Sequence, residues 1–385
     1  MVVEIQPSGI RKFFDVVSEM KDAISLGVGE PDFATPWHIR EEGIYSLEKG
    51  KTIYTSNAGL KELKVEICKY LNRRFDLSYD YEKETIVTVG GSEAIDIALR
   101  AMIDYGDEVL IPQPSYVSYL PCTVLAGGVP VIIELKSEND FKLTKEELLA
   151  AITEKTKILI LPFPNNPTGA IMDYNDLKEI ADIIIEKDLF VISDEIYSEL
   201  TYGSKHVSIA SFPGLKERTI VINGFSKSYA MTGWRLGYAV GPANIIYEMI
   251  KIHQFAIMCA PSTSQYAGIE AVKNGDSDVE MMRDAYNQRR RFLIHAFRGM
   301  GLECFEPFGA FYVFPCIKSL GMTSEEFASK LLKEEKVAVV PGTAFGDCGE
   351  GYLRISYAYS IDNLKIALNR IEKFVIKYRN SVEKD

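Results

Sequence analysis

Through the middle of the chain, short unbroken apolar runs alternate with longer stretches whose apolar residues recur every three or four positions. ETIVTV (84–89), GDEVLIP (106–112), VPVIIEL (129–135), TKILILPF (156–163), DLFVISD (188–194), TIVING (219–224) and GYAVG (237–241) predict seven strands. Helices are predicted over 92–103, from Ser115 onward and over 173–187. Apolar strands without polar alternation are buried on both faces, as in a parallel sheet covered by helices. The interleaved helices make this an α/β unit. A long, charge-rich helical pattern follows over 278–300. Beyond it, LECFEP, GAFYVFPCI, KVAVVP and YLRISYAY predict strands between helices over 323–335 and 361–378, a small α+β unit. The expected architecture is a large domain (46–285) with a mostly parallel seven-stranded sheet and a small C-terminal domain (286–385). The N-terminal segment (1–45) is too short for a core of its own. It is expected to pack with the small domain, making that domain discontinuous.

Composition narrows the function classes. Hydrophobic residues make up 47% and charged residues 25% of the 385, an ordinary globular balance. Lys plus Arg number 43 and Asp plus Glu 54, a net charge of −11. That balance argues against a nucleic-acid footprint and reads as solubility. Cys68, Cys122, Cys259, Cys304, Cys316 and Cys348 are dispersed, as in a reducing compartment. His38, His206, His253 and His295 show no metal-ligand spacing, so no metal is expected. The start, MVVEIQPSG, lacks the basic and apolar regions of a signal peptide, and no apolar run reaches about 18 residues. A cytoplasmic setting, without a membrane partner, is the expectation.

Four features stand at predicted strand ends, where open α/β sheets bind ligands. In VGGSEAID (89–96), two glycines and a helix start, with Ser92 as a candidate N-cap, suit a phosphate or simply a strand–turn–helix joint. In PFPNNPTGA (162–170), Asn166 precedes Pro167 and is biased away from helix; it is a rigid ligand amide or part of a proline-rich turn. In ISDEIY (192–197), Asp194 ends an apolar strand and Tyr197 follows three residues on. A carboxylate there needs a cation or a donor, unless it merely caps a helix. In INGFSKSYAMTGWRLGYAVG (222–241), Lys227 follows a strand between Ser226 and Ser228, and Arg235 stands beside Trp234. A lysine in such a setting can form a Schiff base with an aldehyde, and an arginine can fork onto a phosphate.

Together with GVGEPDF (27–33) and YLRIS (352–356), these segments resemble the class I aminotransferases, pyridoxal-phosphate enzymes of the aspartate aminotransferase fold type. The resemblance covers nearly the whole chain, and the ordered set GEPDF, NNPTG, SDEIY and SKSYAMTGWRLGY is specific. It implies that Lys227 bonds to the cofactor aldehyde and shuttles the proton, and that Asp194 pairs with the pyridine nitrogen. By the same resemblance, Tyr197 and Asn166 bond the phenolic oxygen, while Gly91, Ser92, Ser226 and Arg235 contact the phosphate. Tyr116 would stack on the ring, and Tyr54 would reach the phosphate of a partner subunit, which implies a homodimer. Arg354 would clamp the substrate α-carboxylate, with the backbone amide of Gly29 assisting. Two positions depart from the common pattern: Gly224 replaces a Ser or Thr, removing one phosphate contact, and Tyr116 replaces a Trp.

The reaction so implied moves an amino group between an L-amino acid and a 2-oxo acid, 2-oxoglutarate being the expected acceptor, with ping-pong kinetics. TIVINGFSKSYAMTGWRLGY, SELTY and residues 251–275 look closest to N-acetyl-diaminopimelate aminotransferases, and resemble aspartate and aromatic aminotransferases as well. A C–S β-lyase on the same fold and a non-catalytic aminotransferase-like sensor are the alternatives. Ile10 and Arg11 are candidates for the pocket mouth, or for ordinary packing.

Overall fold

The computed structural model describes Ile5 and residues 22–382; Ile10, Arg11 and most of the first 21 residues lie outside the described residues. In chain order the strands are β1 (Ile24–Ser25), β2 (Thr85–Thr88), β3 (Glu108–Gln113), β4 (Val129–Glu134), β5 (Thr156–Leu161) and β6 (Phe190–Asp194). They continue with β7 (Thr219–Gly224), β8 (Gly237–Val240), β9 (Tyr312–Val313), β10 (Val337–Ala338), β11 (Val340–Pro341) and β12 (Leu353–Ser356). The seven runs expected to be strands form one sheet in the order β2-β8-β7-β6-β5-β3-β4. Every residue of β2, β7 and β8 is buried, and Ile158, Leu159, Ile160, Val191 and Ile192 are fully enclosed. Both faces of these strands are therefore covered, as unalternated apolar runs require, whereas in the edge strand β4 only Ile133 is buried.

Pairing from β7 through β6, β5 and β3 to β4 is parallel, whereas β8 is antiparallel to both its neighbours. This one reversal shapes the site. All the other strands of the sheet end at one edge, and β8 begins there, so Gly237 pairs with Gly224 and Thr88. A Cβ on Gly237 would overlap the backbone of Gly90 and Gly91; only glycine allows that approach.

The C-terminal unit has a three-stranded antiparallel sheet, β11-β12-β9, and β10 pairs in parallel with β1. Leu26, just after β1, shares a core with Phe311, Val313, Ile355 and Phe374. LECFEP, expected as a strand, contributes a single bridge, Cys304 to Pro315. The helix expected from Ser115 starts at Tyr119, because Ser115 donates its N–H to the Phe345 carbonyl instead (3.1 Å). Helices beyond those expected span Trp37–Glu48, Lys61–Phe75, Lys145–Ala151, Ala243–Ala256 and Ser262–Asn274. Among the described residues no helix is long and apolar enough to cross a membrane.

Candidate active site

The strand ends at that shared edge open onto a cavity of about 380 Å³. Gly29, Gly91, Ser92, Tyr116, Asn166, Asp194, Tyr197, Ser226, Lys227, Arg235 and Arg354 all line it. Tyr54 does not. That residue is 78% exposed and lies outside the lining of its own chain's cavity.

Lys227 sits in the one-turn helix Phe225–Ser228 that β7 runs into. Its Nζ donates to the Gly29 carbonyl at 2.6 Å. Burial lowers its pKa to about 8, and the guanidinium groups of Arg354 and Arg235 push the same way against the opposing Glu30 and Asp194. A large fraction is therefore a neutral, nucleophilic amine near pH 8.

Asp194 ends β6 and is almost wholly buried. One carboxylate oxygen accepts from the Tyr119 hydroxyl at 2.7 Å, the other from the Ile196 N–H at 3.2 Å. Burial raises its pKa, even though both hydrogen bonds and Lys227 oppose the shift. Among the described residues no cationic side chain forms an ion pair with it. A buried carboxylate in that position favours a ligand that brings its own positive charge.

Arg354, in β12, is equally enclosed. It donates to the Asn166 side-chain oxygen at 3.0 Å and to the Gly27 carbonyl, and its Nε is buried without a partner. Its guanidinium lies 4.6 Å from the Tyr312 ring centroid and 4.8 Å from that of Phe345. No carboxylate among the described residues neutralises it, so it is set to take one from a ligand.

At the third corner the helix Gly90–Met102 begins one residue after Val89, which is its N-cap. Ser92 is therefore not the N-cap that its sequence position suggested; it lies inside the first turn, its hydroxyl 3.4 Å from that of Tyr116. Gly90 has φ +77°, and a Cβ there would crowd the Arg235 guanidinium. Arg235, also at positive φ (51°), is anchored by donation to the Thr232 carbonyl at 3.0 Å. Free backbone N–H groups, hydroxyls and an arginine converge here as an anion cradle.

Three neighbours were not anticipated from the sequence: Tyr119, which holds Asp194; Tyr312, 2.8 Å from the Tyr197 hydroxyl; and Glu30 beside Lys227. PSYVSY held a signal for Tyr119, since it lies three residues after Tyr116. The two rings meet edge to face, with centroids 5.6 Å apart. The corners suit a phosphate, a protonated ring nitrogen and an aldehyde, the groups that pyridoxal phosphate presents.

The family described as aminotransferase class I and II matches residues 21–371. A putative aminotransferase of Bacillus subtilis (strain 168), YugH, is 53% identical over 98% of this chain and 97% of its own length. A probable N-acetyl-LL-diaminopimelate aminotransferase of the same organism is 46% identical over 99% and 96%. The solved aromatic aminotransferase from Pyrococcus horikoshii OT3 superposes with a TM-score of 0.91 at 45% identity, covering 95% of this chain and 99% of that one. Several further relatives are named aspartate aminotransferase. Extensive identity along the whole length, joined to a cavity of this chemistry, makes the chain a member of the class I and II aminotransferase family, a transaminase that acts on amino and 2-oxo acids with pyridoxal phosphate.

Proposed function

We propose that this enzyme moves the amino group of an L-amino acid to 2-oxoglutarate by a ping-pong sequence, with N-acetyl-LL-diaminopimelate as the leading donor. The observation that carries the transaminase chemistry is the pairing, in one cavity, of a buried amine, its pKa lowered to about 8, with a buried arginine that no carboxylate pairs among the described residues. The donor is supported by the sequence likeness and by the 46% identical relative of that name. Aspartate and aromatic amino acids are the competing donors.

When bound, pyridoxal phosphate supplies an aldehyde that takes up amines and a conjugated ring that accepts the electrons released at the substrate Cα. The protein's part is to hold and orient. Gly91, Ser92, Ser226 and Arg235 would grip the phosphate. Asp194 would keep the ring nitrogen protonated, with Tyr119 fixing the carboxylate in place. Tyr116 would stack on the ring, and Asn166 and Tyr197 would bond its phenolic oxygen. Arg354, assisted by the Gly29 amide, would hold the α-carboxylate and so fix the direction of the Cα–H bond. Lys227 would be the group that takes the proton from Cα and passes it to the former aldehyde carbon.

We assign this chemistry to a large domain (46–285) and a small one (286–385), with residues 1–45 joining the latter, in a cytoplasmic enzyme whose six cysteines are free. Tyr54 serves the cavity of a second copy. Supporting this, Ile53 and Tyr54 are 79% and 78% exposed, beside the exposed Ile257 and Met258. Asn57 ties the two segments by donating to the Met258 carbonyl (2.8 Å).

A panel of amino donors assayed with 2-oxoglutarate tests the reading. N-acetyl-LL-diaminopimelate should give the highest kcat/KM, with parallel double-reciprocal lines when both substrates are varied. Ammonia and pyruvate formed from a cysteine conjugate without any 2-oxo acid would refute the assignment in favour of elimination.

A further inference from the structure

Tyr312 has no assigned role, yet it touches both halves of the cavity. Its hydroxyl oxygen lies 2.8 Å from that of Tyr197, and the two rings meet edge to face at 5.9 Å and 77°. Both side chains are buried. The Tyr197 ring is held edge-on against Phe311 at 5.4 Å, and the Arg354 guanidinium lies 4.6 Å from the Tyr312 centroid. A Cβ at Gly29 would overlap the Tyr312 hydroxyl, so the missing side chain at position 29 leaves room for that oxygen. Among the described residues the Tyr312 hydroxyl makes no other hydrogen bond.

A phenol carries one proton and can accept at its lone pairs. If Tyr197 gave its proton to Tyr312, it would have none for an acceptor inside the cavity. If Tyr312 is the donor, the Tyr197 oxygen is satisfied from behind and its own proton points inward. Donation from Tyr312 also polarises the Tyr197 O–H and strengthens the bond it makes. We propose that Tyr312 is a positioning residue that donates to Tyr197 whenever Tyr197 donates to the cofactor's phenolic oxygen. The same ring supports Arg354, so one side chain backs both the carboxylate grip and the phenolic contact. This rests on the role proposed above for Tyr197, and the test separates the two.

The test uses holoenzyme with Tyr312→Phe, Tyr197→Phe and the double substitution. The readout is the pH midpoint of the visible absorption change of the lysine-bound cofactor, alongside kcat and KM. A donor at an acidic oxygen lowers its basicity, so losing the donor raises the midpoint. Tyr312→Phe keeps the ring beneath Arg354. It should raise the midpoint less than Tyr197→Phe does and lower kcat about fivefold, the size of one neutral hydrogen bond, with KM within about twofold. The double variant should match Tyr197→Phe alone, because Tyr312 acts only through Tyr197. Melting temperatures close to the parent's would show that the fold is kept. An unmoved midpoint in Tyr312→Phe while Tyr197→Phe shifts it, or additive shifts in the double variant, would overturn the relay and leave Tyr197 its role. A midpoint unmoved by Tyr197→Phe would overturn both.

Discussion

Lys227 is the side chain on which the chemistry turns, and its environment makes a measurable demand. The amine must be neutral to attack an aldehyde. With its pKa lowered to about 8, the neutral fraction rises about tenfold per pH unit below that value and levels off above it. Stopped-flow mixing of cofactor-free protein with pyridoxal phosphate should trace that rise and plateau; a rate still climbing about tenfold between pH 8 and pH 9 would show an ordinary lysine. Lys227→Ala should retain some cofactor but lose turnover, and multiple turnovers by that variant would remove the residue from the mechanism. Asp194→Ala should cost several orders of magnitude in kcat, roughly 10³ or more, as removal of a buried charge partner from a transition state implies. A near-parental rate would leave its carboxylate without function. Lys227, Asp194 and Asn166 were legible in the sequence because strand ends in an α/β sheet mark ligand sites. Tyr119 and Tyr312 were not, because a buried tyrosine among apolar neighbours reads as core until its hydroxyl is seen to point at something.

Elements were legible where the apolar run was unbroken, whether buried throughout as in β7 or largely uncovered as in the edge strand β4. The seven strands of the large sheet stood out as unbroken apolar runs, but the direction of β8 was hidden, since such a run reads the same whichever way it lies. The helix Trp37–Glu48 escaped for a different reason. Trp37, Ile44, Tyr45 and Leu47 are exposed, so its apolar residues mark no single inward face. That helix is clamped by His38, whose ring nitrogens lie 2.7 Å from Glu270 and 2.9 Å from Asp278. Burial lowers the His38 pKa, yet the two carboxylates outweigh it and the net shift is upward. A histidine raised on folding stabilises the native state fully below its unfolded pKa, about 6.5, and loses that contribution as pH climbs through the folded value. Urea titrations should therefore show a fall in stability across neutral to mildly alkaline pH that is smaller in His38→Gln; identical pH profiles would show that the clamp carries no proton-linked stability. Arg74 makes a bidentate pair with the buried Glu199, at 2.9 and 2.7 Å. Arg74→Ala, which strands that carboxylate, should lower stability by about 3 kcal/mol by the same denaturation measurement.

At the scale of the molecule, the proposed pairing of subunits draws on Ile53, Tyr54, Phe255 and Ile257, large apolar residues that this chain leaves exposed. Tyr54→Phe should weaken pyridoxal-phosphate binding about tenfold, a hydrogen bond to a charged group, in an equilibrium titration of the cofactor-free protein. Specific activity should fall on dilution as the band comes apart, tracked by sedimentation velocity. A monomer with full activity would assign Tyr54 to its own chain's surface. None of this partnership can be read from one chain's periodicity, because an interface residue and a misplaced core residue have the same apolar character.

The short parallel pairing of Ile24–Ser25 with Val337–Ala338 has a mechanical corollary. Gly29 lies only a few residues beyond that stitch, and Arg354 sits on β12, whose Ser356 donates its N–H to the Leu26 carbonyl at 2.8 Å. Both residues proposed to hold an arriving carboxylate are thus fastened to the same pair of neighbouring segments. A shift of β12 relative to β7 would carry the Gly29 carbonyl with it, and with that carbonyl the oxygen on which the Lys227 amine rests at 2.6 Å.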